Sequence, residues 1–312
     1  MTKWARNYLE NSANDTELFY KEFISKLREA ANMSMPKIKQ SRTDHKDAWY
    51  YCERVKELNA TQCQRKGRTE QSIHPNTQEE ADNIARNFTE RTKSHNLPQT
   101  TWEKINEISP ARWRKINTAC NMPDDTDTPF TMEELNSALS KGKRETAPGA
   151  DAITYSMLRH MGNPAKQIYL LLVNRTYAEH TRPKKWQQQD TQPIPKPKEP
   201  GAYRPMSLIS CTQEVAERIV LNRLLWKVGP LYQRLYAYRE VVGTHECLTD
   251  VLCAINGRKS IVVFLDLVKV YELANAATIL SSLVRKRIKG NLLTWTKGYM
   301  QDRGYIKTEK QE

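Results

Sequence analysis

The chain has 312 residues, 38% hydrophobic and 27% charged, with a net charge of +13 and a mean hydropathy of −0.75. At roughly 150 residues per domain this is length for about two domains, each able to bury a core. No apolar run approaches the ~18 residues of a membrane span and no apolar stretch near Met1 has the form of a secretory signal. Membrane, collagen-like and disulfide-scaffold classes are thereby excluded, and the reading places the chain inside the cell, in nucleus or cytoplasm.

Apolar residues at threes and fours predict helix over residues 4–32, with Asp15–Thr16–Glu17 as the start of a second stretch. Pro36 ends it, and helix is expected again over 46–58. Residues 59–76 are basic and poor in apolar groups, a loop by composition. Thr77 ahead of QEEADNIARNF is an N-cap with early acids. Short helices over 100–107 and 111–117 are expected to be split by Pro110. NMPDDTDTPF (121–130) reads as an acidic hinge, and a domain boundary is placed near residue 130. Charge changes there too: residues 1–130 carry 21 basic and 19 acidic groups, residues 131–312 carry 28 and 17. A surplus confined to one part of a chain is an electrostatic footprint for a polyanion.

Thr131–Met132–Glu133–Glu134 is a capping-box pattern ahead of Leu135 and Leu139. One long helix is expected over about 154–181, with Leu158, Ile168, Leu171, Leu172 and Val173 as its apolar face. Residues 187–209 are proline-bearing and predict two edge-like strands around a loop. Helices follow over 213–228 and 244–256. SIVVFLDL (260–267) is continuous, apolar and β-branched, the pattern of a central buried strand. Helices over 275–287 and 291–300 and a strand beginning in 303–308 complete the reading.

Four constellations carry chemistry. Asp266 ends the apolar run, where a carboxylate could bind Mg²⁺ while substrate phosphates fill the other positions, or else cap the next helix. Lys196 and Arg204 flank a proline-rich hairpin, a point charge and a rigid fork suited to a triphosphate. Pro148–Gly149 sets a turn, with Asp151 as a cap for the helix after it. Leu235–Tyr236–Ala237–Tyr238–Arg239 interleaves aromatic and basic groups, as stacking on nucleic acid requires or as a tyrosine-packed helix end would show. The six cysteines contain no C-x-x-C pair and read as reduced thiols, and no histidine is assigned a metal role.

Taken in order, A-P-G-A-D-A-I, P-I-P-K-P with Y-R-P-M-S-L, Y-A-Y-R with G-T, and V-F-L-D-L-V-K-V-Y-E-L-A resemble the reverse transcriptase of non-LTR (LINE-type, jockey-like) retrotransposons. LLTWTKGYMQDRGYIK is similar to the helix and strand that follow the first palm motif there. The resemblance covers about residues 131–308. It implies an α+β fold: a partial right-hand polymerase, fingers and the start of a palm over 131–312, preceded by a helical connector over 1–130. It implies RNA-directed DNA synthesis with template RNA, a DNA primer and dNTPs, no membrane, and an oligomeric state that stays open. Asp266 matches the first catalytic aspartate, which with the carbonyl of Leu267 binds Mg²⁺ in a two-ion site. Lys196 and Arg204 match dNTP-holding residues, Tyr271 the aromatic position that excludes a ribose 2′-hydroxyl, and Tyr238 and Arg239 a segment near template and nucleotide. The chain departs from the family in having no F/Y-x-D-D and no P-Q-G segment downstream of Asp266, and in Ala237, Val268 and Val270. Those departures imply an inactive, C-terminally truncated piece; the alternative is a non-catalytic nucleic-acid-binding remnant, with an unpaired strand edge and exposed apolar surface in either case.

Overall fold

The computed structural model describes residues 15–34, 98–142, 146–196, 203–257, 260–266, 274–301 and 304–306, with four helical positions between 83 and 90. The helix expected over 46–58 and the loop over 59–76 lie outside the described residues. Helix α1 (Thr16–Ser34) begins where Asp15 Oδ1 accepts the Glu17 N–H at 2.8 Å. Its threes-and-fours pattern buries Phe19, Tyr20, Phe23, Ile24 and Leu27, and it packs on the helix Asn163–Glu179. Phe23 stacks on Tyr169 with ring centroids 5.5 Å apart.

The two short helices expected around Pro110 are one helix, α2 (Gln99–Cys120), with Pro110 inside it. Proline removes one donor to the carbonyl four residues back. That carbonyl belongs to Asn106, which is exposed, so water can take the lost bond. Residues 121–130, read as an acidic hinge, hold a capped turn and an ion pair. A single 3-10 turn, Asp125–Asp127, is closed reciprocally: Thr126 N–H donates to Asp124 Oδ1 at 3.0 Å and Asp124 N–H to Asp127 Oδ2 at 2.8 Å. Lys227 holds Asp124 at 2.9 Å.

Helix α3 (Met132–Lys141) starts on the expected box, with Glu134 N–H donating to Thr131 Oγ1 at 3.3 Å and Thr131 N–H to Glu134 Oε2 at 2.8 Å. The single long helix is instead α4 (Tyr155–Arg159) and α5 (Asn163–Glu179). The chain restarts at Gly162 because Pro164 sits in the first turn, where its missing N–H costs nothing. A short turn, α6 (Lys184–Gln187), leads into β1 (Gln188–Pro195), which pairs antiparallel with β2 (Tyr203–Leu208), as the sequence predicts. The start of β1 also pairs in parallel with β3 (Gly304–Ile306), giving the order β2–β1–β3. Pro193 and Pro195 lie beyond that parallel stretch, where among the described residues β1 has a neighbour on one side only, the place a strand tolerates proline.

Helices α7 (Cys211–Val228), α8 (Thr244–Ile255), α9 (Ala276–Arg285) and α10 (Gly290–Gln301) follow near their expected bounds. One apolar core draws on α1, α2, α3, α5, α7, α9 and α10, with residues before and after position 130 in the same cluster. The molecule is mostly helical with a small mixed sheet. One expectation fails outright: residues 260–266 form no strand and are exposed, Ile261 at 94% and Phe264 at 91%. An apolar run becomes a central strand only with ladder partners on its edges and layers on its faces. The described sheet gives residues 260–266 neither.

Candidate functional site

The β1–β2 hairpin carries the clearest arrangement of predicted site residues. Its register sets Ile194 opposite Arg204 and Pro195 opposite Tyr203. Side chains alternate along a strand and opposed residues share a face. Arg204 and Ile194 therefore share one face of the hairpin, and Lys196 follows directly after the last paired residue, Pro195. Arg204 is exposed and pairs with no carboxylate among the described residues. The four central residues of β2, Arg204 to Ser207, are all exposed.

Both roots of the hairpin are buried in one polar knot. Before β1, Trp186 is 1% exposed and donates its indole N–H to Thr212 Oγ1 at 3.0 Å. After β2, Ser210 donates its hydroxyl to Asp151 Oδ2 and accepts the Thr212 N–H at 3.1 Å, which caps α7. Asp151, 3% exposed, also accepts the Tyr20 hydroxyl at 2.9 Å and the Ile153 N–H at 3.3 Å. Arg28 donates to its carbonyl at 2.9 Å through Nε. Burial, and then the neighbouring Asp151, hold the Tyr20 hydroxyl well above the usual phenol range. Burial, then Glu214 and Asp151, push the adjacent Cys211 thiol up to about 12, which makes it an inert core group.

The turn Gly149–Ala152 closes with Ala152 N–H on the Gly149 carbonyl at 2.9 Å, as Pro-Gly predicts. Gly149 lies so close to the hairpin root that a Cβ there would meet Ser210 N at 2.6 Å. Asp151 is not the expected helix cap: Thr154 caps α4, accepting the Met157 N–H at 3.3 Å. The role of Asp151 escapes sequence reading because its partners stand 131 and 59 residues away.

The Tyr236–Arg239 segment is neither helical nor tyrosine-packed. Tyr238 is 90% exposed with φ of +59°; Arg239 reaches the Gln233 and Leu235 carbonyls at 3.4 Å. Tyr236 donates to Asp250 on α8. Asp266 is exposed at the end of the unpaired run. Leu267 and Tyr271, the other two predicted site residues there, lie outside the described residues. No group of three or more His, Cys, Asp or Glu side chains converges among the described residues in a way that could hold a metal ion. A two-ion site needs several acidic ligands, and Asp266 alone does not make one.

The exposed arginine on the hairpin and the basic surplus after residue 130 belong to a class of feature that attracts phosphate groups and polyanions in general. Comparison with known proteins narrows that class. No protein-family model matches the chain. Over 131 residues it is 30% identical to the RNA-directed DNA polymerase from mobile element jockey of Drosophila melanogaster, a match covering 39% of this chain and 14% of that protein. The Drosophila funebris jockey polymerase is 31% identical over 133 residues, 40% of this chain and 14% of the relative. An RNA-directed DNA polymerase assigned to transposon BS of Drosophila melanogaster is 24% identical over 190 residues, 57% of this chain and 21% of the relative. The curated relatives are therefore mobile-element reverse transcriptases, the family the ordered motifs resemble, and the matches span a seventh to a fifth of their length.

Proposed function

We propose that this chain is the fingers and the beginning of the palm of a jockey-like reverse transcriptase, and that the β1–β2 hairpin holds the triphosphate of the incoming dNTP. The observation that supports the reading is the antiparallel hairpin with exposed Arg204 on β2 and Lys196 just past the end of β1, in a chain similar to three RNA-directed DNA polymerases. Arg204 would grip phosphate oxygens through its planar fork and Lys196 would add a point charge. Tyr238, exposed beside Arg239, offers a stacking face for template bases. The surplus of basic groups in residues 131–312 supports contact with template RNA and the DNA primer. Asp266 is assigned to Mg²⁺, with Leu267 beside it and Tyr271 against the sugar. The described residues do not complete a metal site around it.

Asp266, exposed and outside any metal-holding cluster among the described residues, also favours a second reading, a non-catalytic nucleic-acid binder retaining the same surface. A template–primer titration with the 312-residue chain, followed by fluorescence anisotropy in Mg²⁺, separates the two. A polymerase fragment binds more tightly when the dNTP complementary to the next template base is present, and Arg204→Ala removes that gain while leaving binary binding nearly unchanged. Binding indifferent to every dNTP overturns the polymerase reading and leaves the binder.

A further inference from the structure

The hairpin enters and leaves the body at two buried roots, beside Trp186 and Ser210. Trp186 stands two residues before β1 and Ser210 two residues after β2. The two ends meet through Thr212: its Oγ1 accepts from Trp186 at 3.0 Å and lies 2.6 Å from Ser210 Oγ. Asp151 closes the knot from the Gly149 turn, and Tyr20 ties it to α1. Tyr20 also packs edge-on against Trp186, with ring centroids 5.9 Å apart. Every side chain in this knot is buried, so none of them can touch a nucleotide held on the exposed face of the hairpin.

We infer that Asp151, Thr212 and Tyr20 are positioning residues for the triphosphate-holding hairpin: one buried hydrogen-bonded knot locks both of its roots and presets the direction of Lys196 and Arg204. The inference rests on the reading of the hairpin as the triphosphate holder. A preset clamp binds without first ordering itself, and a small misdirection of charged groups is costly. The knot also gives α1, far upstream in sequence, an indirect part in nucleotide binding, through the hairpin roots. Nothing in the chemistry of Tyr20 would otherwise connect it to that event.

The test is equilibrium binding of a fluorescent dATP analogue with Mg²⁺ to the full chain, alongside hydrogen exchange of residues 188–196 and 203–208. Thr212→Val removes the shared hydroxyl at nearly constant volume; it is expected to weaken binding about tenfold and to speed exchange in the hairpin while α5 and α7 keep their protection. Tyr20→Phe, one donor lost, is expected to weaken binding about threefold. Thr212→Ser restores the hydroxyl and is expected to restore binding. Arg204→Ala is the control on the underlying reading. If Arg204→Ala leaves affinity unchanged, the hairpin is not the triphosphate holder and the inference falls with it. If Arg204→Ala abolishes binding while Thr212→Val and Tyr20→Phe bind as the unaltered chain does, the knot is only structural and the positioning role alone is refuted. Should Thr212→Val fail to fold, the Tyr20→Phe and Thr212→Ser results decide, and failure of Thr212→Ser to recover binding also refutes it.

Discussion

Arg223 shows how much one side chain can organise. From α7 it donates to both oxygens of Glu134, at 2.7 and 2.8 Å, to the carbonyls of Thr126 and Pro129 at 2.9 Å each, and to that of Thr128 at 2.5 Å. Its guanidinium lies 4.0 Å from the centre of the Phe130 ring. It thus fastens the acidic corner, the N-terminus of α3 and α7 together. Losing a part-buried, multiply bonded guanidinium strands an acid and three carbonyls, so Arg223→Ala is expected to cost about 3 kcal/mol, read from urea unfolding. Arg223→Lys should recover less than half, because an ammonium cannot reproduce the fork. Burial alone would raise Glu134, but the Arg223 bonds, the Thr131 N–H and the Arg223 charge outweigh it and hold the carboxyl below its ordinary 4.5. A depressed carboxyl gives stability that is complete above its unfolded value and lost as pH falls through the folded one. Unfolding free energy should therefore drop as pH falls below about 4.5, and Glu134→Gln should flatten that slope; an unchanged slope would remove Glu134 from the account. The Thr131–Glu134 box was legible in four consecutive residues because its bonds are local. Arg223 and Asp151 were not, because what each holds lies scores of residues away.

At the scale of elements, periodicity read existence well and continuity poorly. The two strands of the hairpin, α3 and α7 to α10 follow from pattern and caps. Both failures of continuity involve proline, in opposite senses. Pro110 was read as a break and is carried inside α2; Pro164 was not read as a break and opens α5. The difference is position relative to the donors a helix must use. Pro164 occupies a first-turn site whose N–H has no partner, while Pro110 removes a real bond at an exposed turn. The second arrangement is a cost the helix tolerates, and its removal is measurable. Pro110→Ala restores a donor to the Asn106 carbonyl and relieves ring contact with that turn. Against the ~3 kcal/mol penalty of an interior proline stands the ~1 kcal/mol of unfolded-chain stiffness it supplies, so a gain of about 1–2 kcal/mol is expected from thermal unfolding. A loss of stability would mean that α2 depends on a bend at Pro110.

At the scale of the molecule, apolar surface is unevenly distributed. Of the twenty large hydrophobic residues that stand substantially exposed among the described residues, fifteen lie between Leu221 and Leu265. They include Leu221, Leu225 and Trp226 on the outer side of α7, Leu248 and Leu252 on α8, and the run at 261–265. Helix α8 buries none of its residues, although its sequence pattern is that of a core-facing helix. Sequence could say that these segments seek partners, since apolar periodicity measures the need for burial; it could not say whether the partners stand nearby, since that depends on the rest of the sheet. A charge-free β-branched run without ladder partners is a site for strand pairing between molecules, so the purified chain is expected to self-associate with rising concentration. Its +13 charge opposes that approach, and salt screens the repulsion over a Debye length of about 8 Å at physiological strength. Association of the chain with itself should therefore strengthen with salt, while the RNA binding proposed for it should weaken as counterions compete for the phosphates. Sedimentation velocity across a salt series reads the first and anisotropy the second. Val263→Lys sets a charge in the middle of the run and is expected to return the chain to monomer without changing the salt slope for RNA. If self-association instead fell with salt, or survived Val263→Lys, it would be driven by charge or by α7 and α8, and the unpaired run would not be its cause.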